Sequence, residues 1–145
     1  MGEGCIFCSI VQGKASASVV FEDDSIMAFV DAYPVNPGHL LVIPKVHSPD
    51  LASLDRELGG EIFKVAMELA SALRETGIRC EGINLILADG ASAGQEVFHV
   101  HLHVIPRYPG DNFSMSSRTR NSPSRDELDG IASMIRGKVR VGGTA

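Results

Sequence analysis

Val97-Phe98-His99-Val100-His101-Leu102-His103-Val104-Ile105-Pro106 is the longest clean alternation in the chain, and its reading decides the fold. Side chains of a strand point alternately to its two faces. Val97, His99, His101, His103 and Ile105 therefore share one face, and Phe98, Val100, Leu102 and Val104 the other. The apolar face reads as ordinary core. The histidine face does not, because the chain has five histidines and three of them fall here. Each imidazole needs a donor or acceptor once it is partly buried, so three in a row mark a functional face rather than filler.

One ion does not easily take all three. At roughly 3.3 Å per residue the Cα atoms of His99 and His103 lie about 13 Å apart, although neighbouring pairs can still share a metal. The simplest division gives one end of the row to a metal and the rest to chemistry. Cys5 and Cys8 supply two soft ligands as a C-x-x-C pair, and a tetrahedral site needs two more. The imidazoles available are His39, His47 and the row itself, and His47, at the end of PKVH just past the strand, is placed to meet an N-terminal turn. The favoured set is Cys5, Cys8, His47 and His99. With four protein ligands and no open position, a zinc ion there is structural, not catalytic, and ties the N-terminal turn to the sheet. The competing reading is a reduced thiol pair with no metal.

For the chemistry, a neutral imidazole is a good nucleophile near pH 7 once its other nitrogen donates a hydrogen bond that fixes the tautomer. His101 is central in the row. His103, and His39 from a neighbouring strand, are placed to carry protons or positive charge beside a phosphate. Gly94 and Gln95 lie in a bend just ahead of the row, whose N–H groups either face phosphate oxygens or belong to a plain connection.

Working outward, CIFCSIVQG reads as a helical turn ending at Gly13. Val19 to Glu22 and Ile26 to Asp31 read as two strands joined by a tight turn, and YPVNPG resets the chain direction. His39 to Pro44 is a branched apolar run that predicts a well-covered strand. Ser48, Pro49 and Asp50 open a long helix to about Glu75, with Leu54, Leu58, Ile62, Val65, Leu69 and Leu73 near helical spacing. GINLILADG adds a strand, Tyr108 to Ser124 a mobile polar loop, and SRDELDGIASMIRGK a closing helix capped by Ser124 with Glu127 three residues on. The sum is an α+β fold, a mostly antiparallel five-stranded sheet with one long helix and a C-terminal helix, in a single domain over residues 1–145.

A net charge of −5 argues against a protein that tracks a nucleic-acid backbone, which needs a broad cationic face. A small anionic ligand needs only local donors and remains open. No apolar run approaches the roughly 20 residues that cross a bilayer. The start, MGEGCIFCSI, lacks a basic n-region, and three cysteines is an odd number for a disulfide framework, so the expectation is a soluble cytoplasmic protein with no membrane partner.

HVHLHVI, His99 to Ile105, matches the signature of the histidine triad (HIT) family, and the chain resembles that family over nearly its whole length: CIFCSIVQG, VVFEDDSIMAFVD, NPGHLLVIPKVH and AGQEVFHVHLHVIPR resemble family segments in the family's order. The resemblance implies a nucleotide hydrolase or transferase acting on purine nucleotide conjugates, dinucleoside polyphosphates or nucleoside phosphoramidates. The middle histidine attacks the α-phosphorus and forms a nucleotidyl-histidine intermediate. It implies His101 as nucleophile, His103 against the α-phosphate or leaving group, His39 as pocket support, Asp31 at the ribose and Gln95 beside the phosphate. It also implies zinc on the C-x-x-C pair, His47 and His99, and a homodimer paired through the long helix. Two positions depart from the pattern. Glu96 stands where many relatives carry Ser or Thr, and Ala88 where members often place Asn or Gln. Trp is absent, unlike the phosphoramidase branch, and PRYPGDNF resembles instead the bacterial and dinucleoside-polyphosphate-hydrolysing branches. The alternative is a nucleotide-binding regulatory module with little turnover.

Overall fold

A computed structural model describes residues 2–115 and 121–140. Five strands, β1 (Val19–Glu22), β2 (Ile26–Val30), β3 (Leu40–Pro44), β4 (Gly82–Ile86) and β5 (Leu102–Arg107), form one sheet in the order β1-β2-β3-β5-β4. All four pairings are antiparallel. The helices are α1 (Ile6–Val11), α2 (Arg56–Arg74) and α3 (Arg125–Arg136). The α+β class with a five-stranded antiparallel sheet is therefore what the sequence pattern predicts. The chain divides into two compact units, Met1–Phe113 and Ser114–Ala145, with α3 in the second. Among the described residues no helix is long and apolar enough to cross a membrane.

The alternation of β2, β3 and β5 gives the sheet two apolar faces. Ile26, Ala28, Leu40, Val42, Val100, Leu102 and Val104 pack with Ile62, Val65, Ala66, Leu69 and Leu73 of α2. Met27, Phe29, Leu41 and Ile43 form a second cluster with Phe7 of α1. The histidine face lies on the α1 side, since His103 pairs with Leu41 across the ladder. α1 is held there by its own cap: the Cys8 N–H donates to Cys5 Sγ at 3.4 Å.

Three expectations shift. The long helix starts at Arg56, not near Ser48, because two aspartates compete for the chain. Asp50 accepts from the Ser53 N–H at 2.9 Å and closes a separate turn, while Asp55 caps α2 by accepting from the Leu58 N–H at 3.0 Å. Second, the ladder of the triad strand begins at Leu102, because its pairing with β3 ends at Val42 and with β4 at Ile86. Residues 97–101 run past both neighbours, and the Val100 N–H donates to the Ser48 carbonyl at 2.8 Å instead. Phe98, assigned to the core face by alternation, is 50% exposed. Third, Tyr108 to Phe113 is tied down rather than loose. Asp111 accepts from Arg107 Nε at 2.6 Å and from Asn36 Nδ2 at 2.8 Å, and Arg107 Nη2 donates to the Phe113 carbonyl at 2.5 Å. Residues 116–120, with Arg118 and Arg120, lie outside the described residues. In the second unit Ser124 caps α3, accepting from the Glu127 N–H at 3.1 Å as the sequence predicts.

Candidate functional site

His101 has its tautomer set by its own strand. Its Nδ1 lies 2.8 Å from the His99 carbonyl oxygen, which can only accept, so the proton sits on Nδ1 and Nε2 keeps its lone pair. The ring is only 8% exposed and meets the edge of Phe7, with centroids 5.1 Å apart.

His103 and His39 are set by a second chain of bonds. The YPVNPG turn aims the Val35 N–H at His39 Nδ1, 3.0 Å away, so the His39 proton is on Nε2. That proton is donated to His103 Nδ1 at 2.9 Å, which leaves the His103 proton on Nε2. Burial lowers the pKa of both rings. His103 falls to about 4, with the neighbouring His101 and His39 adding to the burial and Asp31 opposing it. For His39 the Asp31 carboxylate, 3.4 Å from Nε2, again opposes the burial. Near pH 7 this pair is therefore a neutral hydrogen-bond relay. Asp31, His39 and His103 have the residue types of a metal site, but the tautomer argues against one: His39 Nε2 has a proton where an ion needs a lone pair.

Asp31, His39, His101 and His103 open on one cavity of about 860 Å³, walled on the α1 side by Ile6, Phe7 and Phe29. Its size and its few polar groups against an apolar wall suit a nucleotide-sized ligand. Gly94 and Glu96 stand at its rim. Gly94 has φ 93°, a left-handed turn that a Cβ would strain. Gln95 is buried, and its amide goes entirely to backbone: Oε1 accepts from the Gly90 N–H at 2.8 Å, and Nε2 donates to the Pro49 and Val97 carbonyls at 2.8 and 3.0 Å. Its side chain fixes the bend and lines no part of the cavity. Glu96 is exposed, with no hydrogen-bond or ion-pair partner among the described residues.

Behind the row, Cys5, Cys8, His47 and His99 converge. Bonds of about 2.3 Å to sulfur and 2.05 Å to nitrogen at the tetrahedral angle imply edges of about 3.3 Å between nitrogens and about 3.6 Å between nitrogen and sulfur. The observed His47 Nδ1 to His99 Nδ1 distance is 3.3 Å. The sulfur edges are 3.5 Å from Cys5 to His99, 3.6 Å from Cys8 to His99 and 3.3 Å from Cys8 to His47. His99 Nε2 donates to the Pro44 carbonyl at 2.8 Å, which turns the Nδ1 lone pair toward the other three donors. Burial lowers the His99 pKa and keeps the ring neutral, as a ligand must be. The four side chains fit a zinc ion. A Cβ at Gly2 would run into the His47 ring, so the site also depends on a glycine that sequence reasoning did not single out.

The structure thus brings His101, His103, His39 and Asp31 into one cavity and Cys5, Cys8, His47 and His99 into one cluster, with Gly94 at the rim and Gln95 beneath it. Sequence reasoning missed the Val35 N–H and the Phe7 edge. The Pro37-Gly38 turn immediately before His39, which folds the chain back on itself, was the available signal for the first; nothing marked the second. Arg107, one of several arginines near the polar segment, is taken up by Asp111, Asn84 and the Phe113 carbonyl.

A family model of the HIT domain matches residues 12–110. A HIT family protein from Bacillus anthracis is 40% identical with a TM-score of 0.89, over 97% of this chain and 100% of that one. A zinc-bound histidine triad family protein from Mycobacterium smegmatis is 37% identical with a TM-score of 0.74, over 94% and 99%. A histidine triad nucleotide-binding protein from Candida albicans is 27% identical with a TM-score of 0.82, over 92% and 96%. With the matched family domain covering most of its length and two histidines of the row, His101 and His103, lining the cavity, this chain belongs to the histidine triad family.

Proposed function

We propose that the protein is a nucleotidyl hydrolase or transferase that attacks the α-phosphate of purine nucleotide conjugates through His101. The observation that carries the reading is the His101 Nδ1–H bond to the His99 carbonyl, which leaves a lone pair on Nε2 in a ring lining a nucleotide-sized cavity. Nε2 bonds to phosphorus while the bond to the leaving group breaks, and the His103 Nε2–H is the donor for the departing atom. His39 holds the His103 ring through Nε2–H, and its own tautomer is held by the Val35 N–H. Water or another acceptor then takes the nucleotidyl group and frees His101. Asp31 is proposed at the ribose. Gly94 offers backbone to the phosphate, and Gln95 keeps that backbone in place.

Cys5, Cys8, His47 and His99 would hold zinc, supported by the matching edges and by the likeness to the zinc-bound Mycobacterium smegmatis protein. With four protein ligands the ion supplies rigidity, not chemistry: it anchors residue 99, whose carbonyl orients His101. We further propose a cytoplasmic homodimer paired through α2, supported by Phe63 and Met67, both more than half exposed on that helix, and by β4 at the sheet edge. No nucleic acid or membrane is a partner in this reading.

Release of AMP from a diadenosine polyphosphate and from an adenosine phosphoramidate tests the reaction. His101→Ala should lose about a thousandfold or more in kcat while AMP still binds. Turnover that survives the substitution rejects the assigned nucleophile.

A further inference from the structure

The charges on the described residues that line the cavity do not suit a polyanion. Among the described residues that line it there is no lysine or arginine, but there are two carboxylates, Asp31 and Glu96. Asp31 is already engaged. Its Oδ1 accepts from the Tyr33 N–H at 2.9 Å and its Oδ2 lies 3.4 Å from His39 Nε2. His39 and His103 are neutral near pH 7 for the reasons of burial given above, so they offer dipoles rather than positive charge. Arg107 has its guanidinium taken up by Asp111 and Asn84. Among the described lining residues only Glu96 is left as an uncommitted formal charge, exposed on the bend that leads into the His101 segment.

A substrate of this site places one nucleoside monophosphoryl group against His101 and His103, and whatever else hangs on phosphorus must pass the rim. A polyphosphate tail brings several negative charges to a carboxylate that has no lysine or arginine among the described lining residues beside it. An amine-bearing leaving group brings the opposite sign. We propose that Glu96 is a specificity-determining residue that selects nucleotide conjugates whose leaving group carries a positive charge and disfavours those with a polyphosphate tail. The proposal rests on the transfer reading above and deepens it. The Glu96 carboxylate takes no part in the bond changes: His101 Nε2 bonds to phosphorus, the phosphorus–nitrogen bond breaks, and the amine leaves with the His103 proton.

The test uses the full chain and three substrates sharing one adenosine 5′-phosphoryl group: a phosphoramidate of an amine ending in an ammonium, one of an equally long amine ending in a methyl, and diadenosine tetraphosphate. The readout is the ratio of kcat/KM values. An exposed opposite-charge contact is worth a factor of about three, so the wild-type chain should favour the ammonium conjugate over the methyl one by about that much. Glu96→Gln should bring that ratio to about one, and Glu96→Lys should turn the preference toward diadenosine tetraphosphate. The wild-type preference should also shrink as salt is raised. Ratios that are the same in wild type, Glu96→Gln and Glu96→Lys, with release still dependent on His101, overturn the charge selection alone. Release that survives His101→Ala, or no release from any of the three, overturns the transfer reading and the selection with it.

Discussion

Within the cavity, two backbone groups decide what the histidines can do. The His99 carbonyl puts the His101 proton on Nδ1, and the Val35 N–H puts the His39 proton on Nε2. The first leaves His101 Nε2 a lone pair, which the proposed reaction uses as the nucleophile, and the second leaves His103 an Nε2–H, its proposed donor. Burial has a price in acid. His103 titrates at about 4 in the folded chain against an ordinary 6.5, and His39 is lowered as well. As pH falls below about 6.5, the unfolded chain takes up protons that the folded chain refuses, so stability drops progressively toward pH 4. His103→Asn removes one such group. Urea midpoints measured across this window should fall less steeply for the variant than for the wild type, and parallel curves would contradict the assigned neutral state. At this scale the sequence was informative about residue types and poor about tautomers. The row of three histidines and the Cys5–Cys8 pair are visible as letters, whereas the partners that orient them are main-chain atoms from a turn and from the row itself.

At the level of elements, α1 and the segment leading into β5 meet through the Cys5, Cys8, His47 and His99 cluster and through Phe7 against His101. A four-ligand zinc there contributes folding energy directly. Chelation should remove one zinc per chain and lower the melting midpoint by roughly 10 °C, the equivalent of about 3 kcal/mol in a chain of this size. Turnover abolished at an unchanged midpoint would instead make the metal catalytic. Element type was legible here and element ends were not. The 3.6-residue spacing from Leu54 to Leu73 marks the face of α2, and all of those positions pack in the core or against it. The start was misread because Asp50 and Asp55 carry the same capping signal, and only the fold shows which one the helix uses. Alternation likewise identifies β5, but where its ladder begins depends on how far β3 and β4 extend, which no local pattern encodes.

On the scale of the whole molecule, one sheet separates two jobs. α2 and its core close one face, while the other carries the cavity with the Cys5, Cys8, His47 and His99 cluster behind it. The face of α2 away from the core leaves Phe63 and Met67 exposed, which is the surface proposed to pair two copies. Sedimentation at micromolar concentration should show a dimer that Met67→Lys converts to a folded monomer, and a variant that stays dimeric would move the interface elsewhere. The family was legible because the signature and the flanking segments keep their order along the chain. The leaving group was not, because the charge selection proposed for Glu96 depends on which side chains line the cavity together, and the sequence does not display that. The central claim concerns a covalent bond and is tested by looking for it. Rapid mixing with an adenosine phosphoramidate, followed by neutral quench and peptide mass spectrometry, should find a single adenylyl group on the peptide containing His101 and none in His101→Ala. An adduct on another residue, or steady turnover in the His101→Ala chain, would contradict the account.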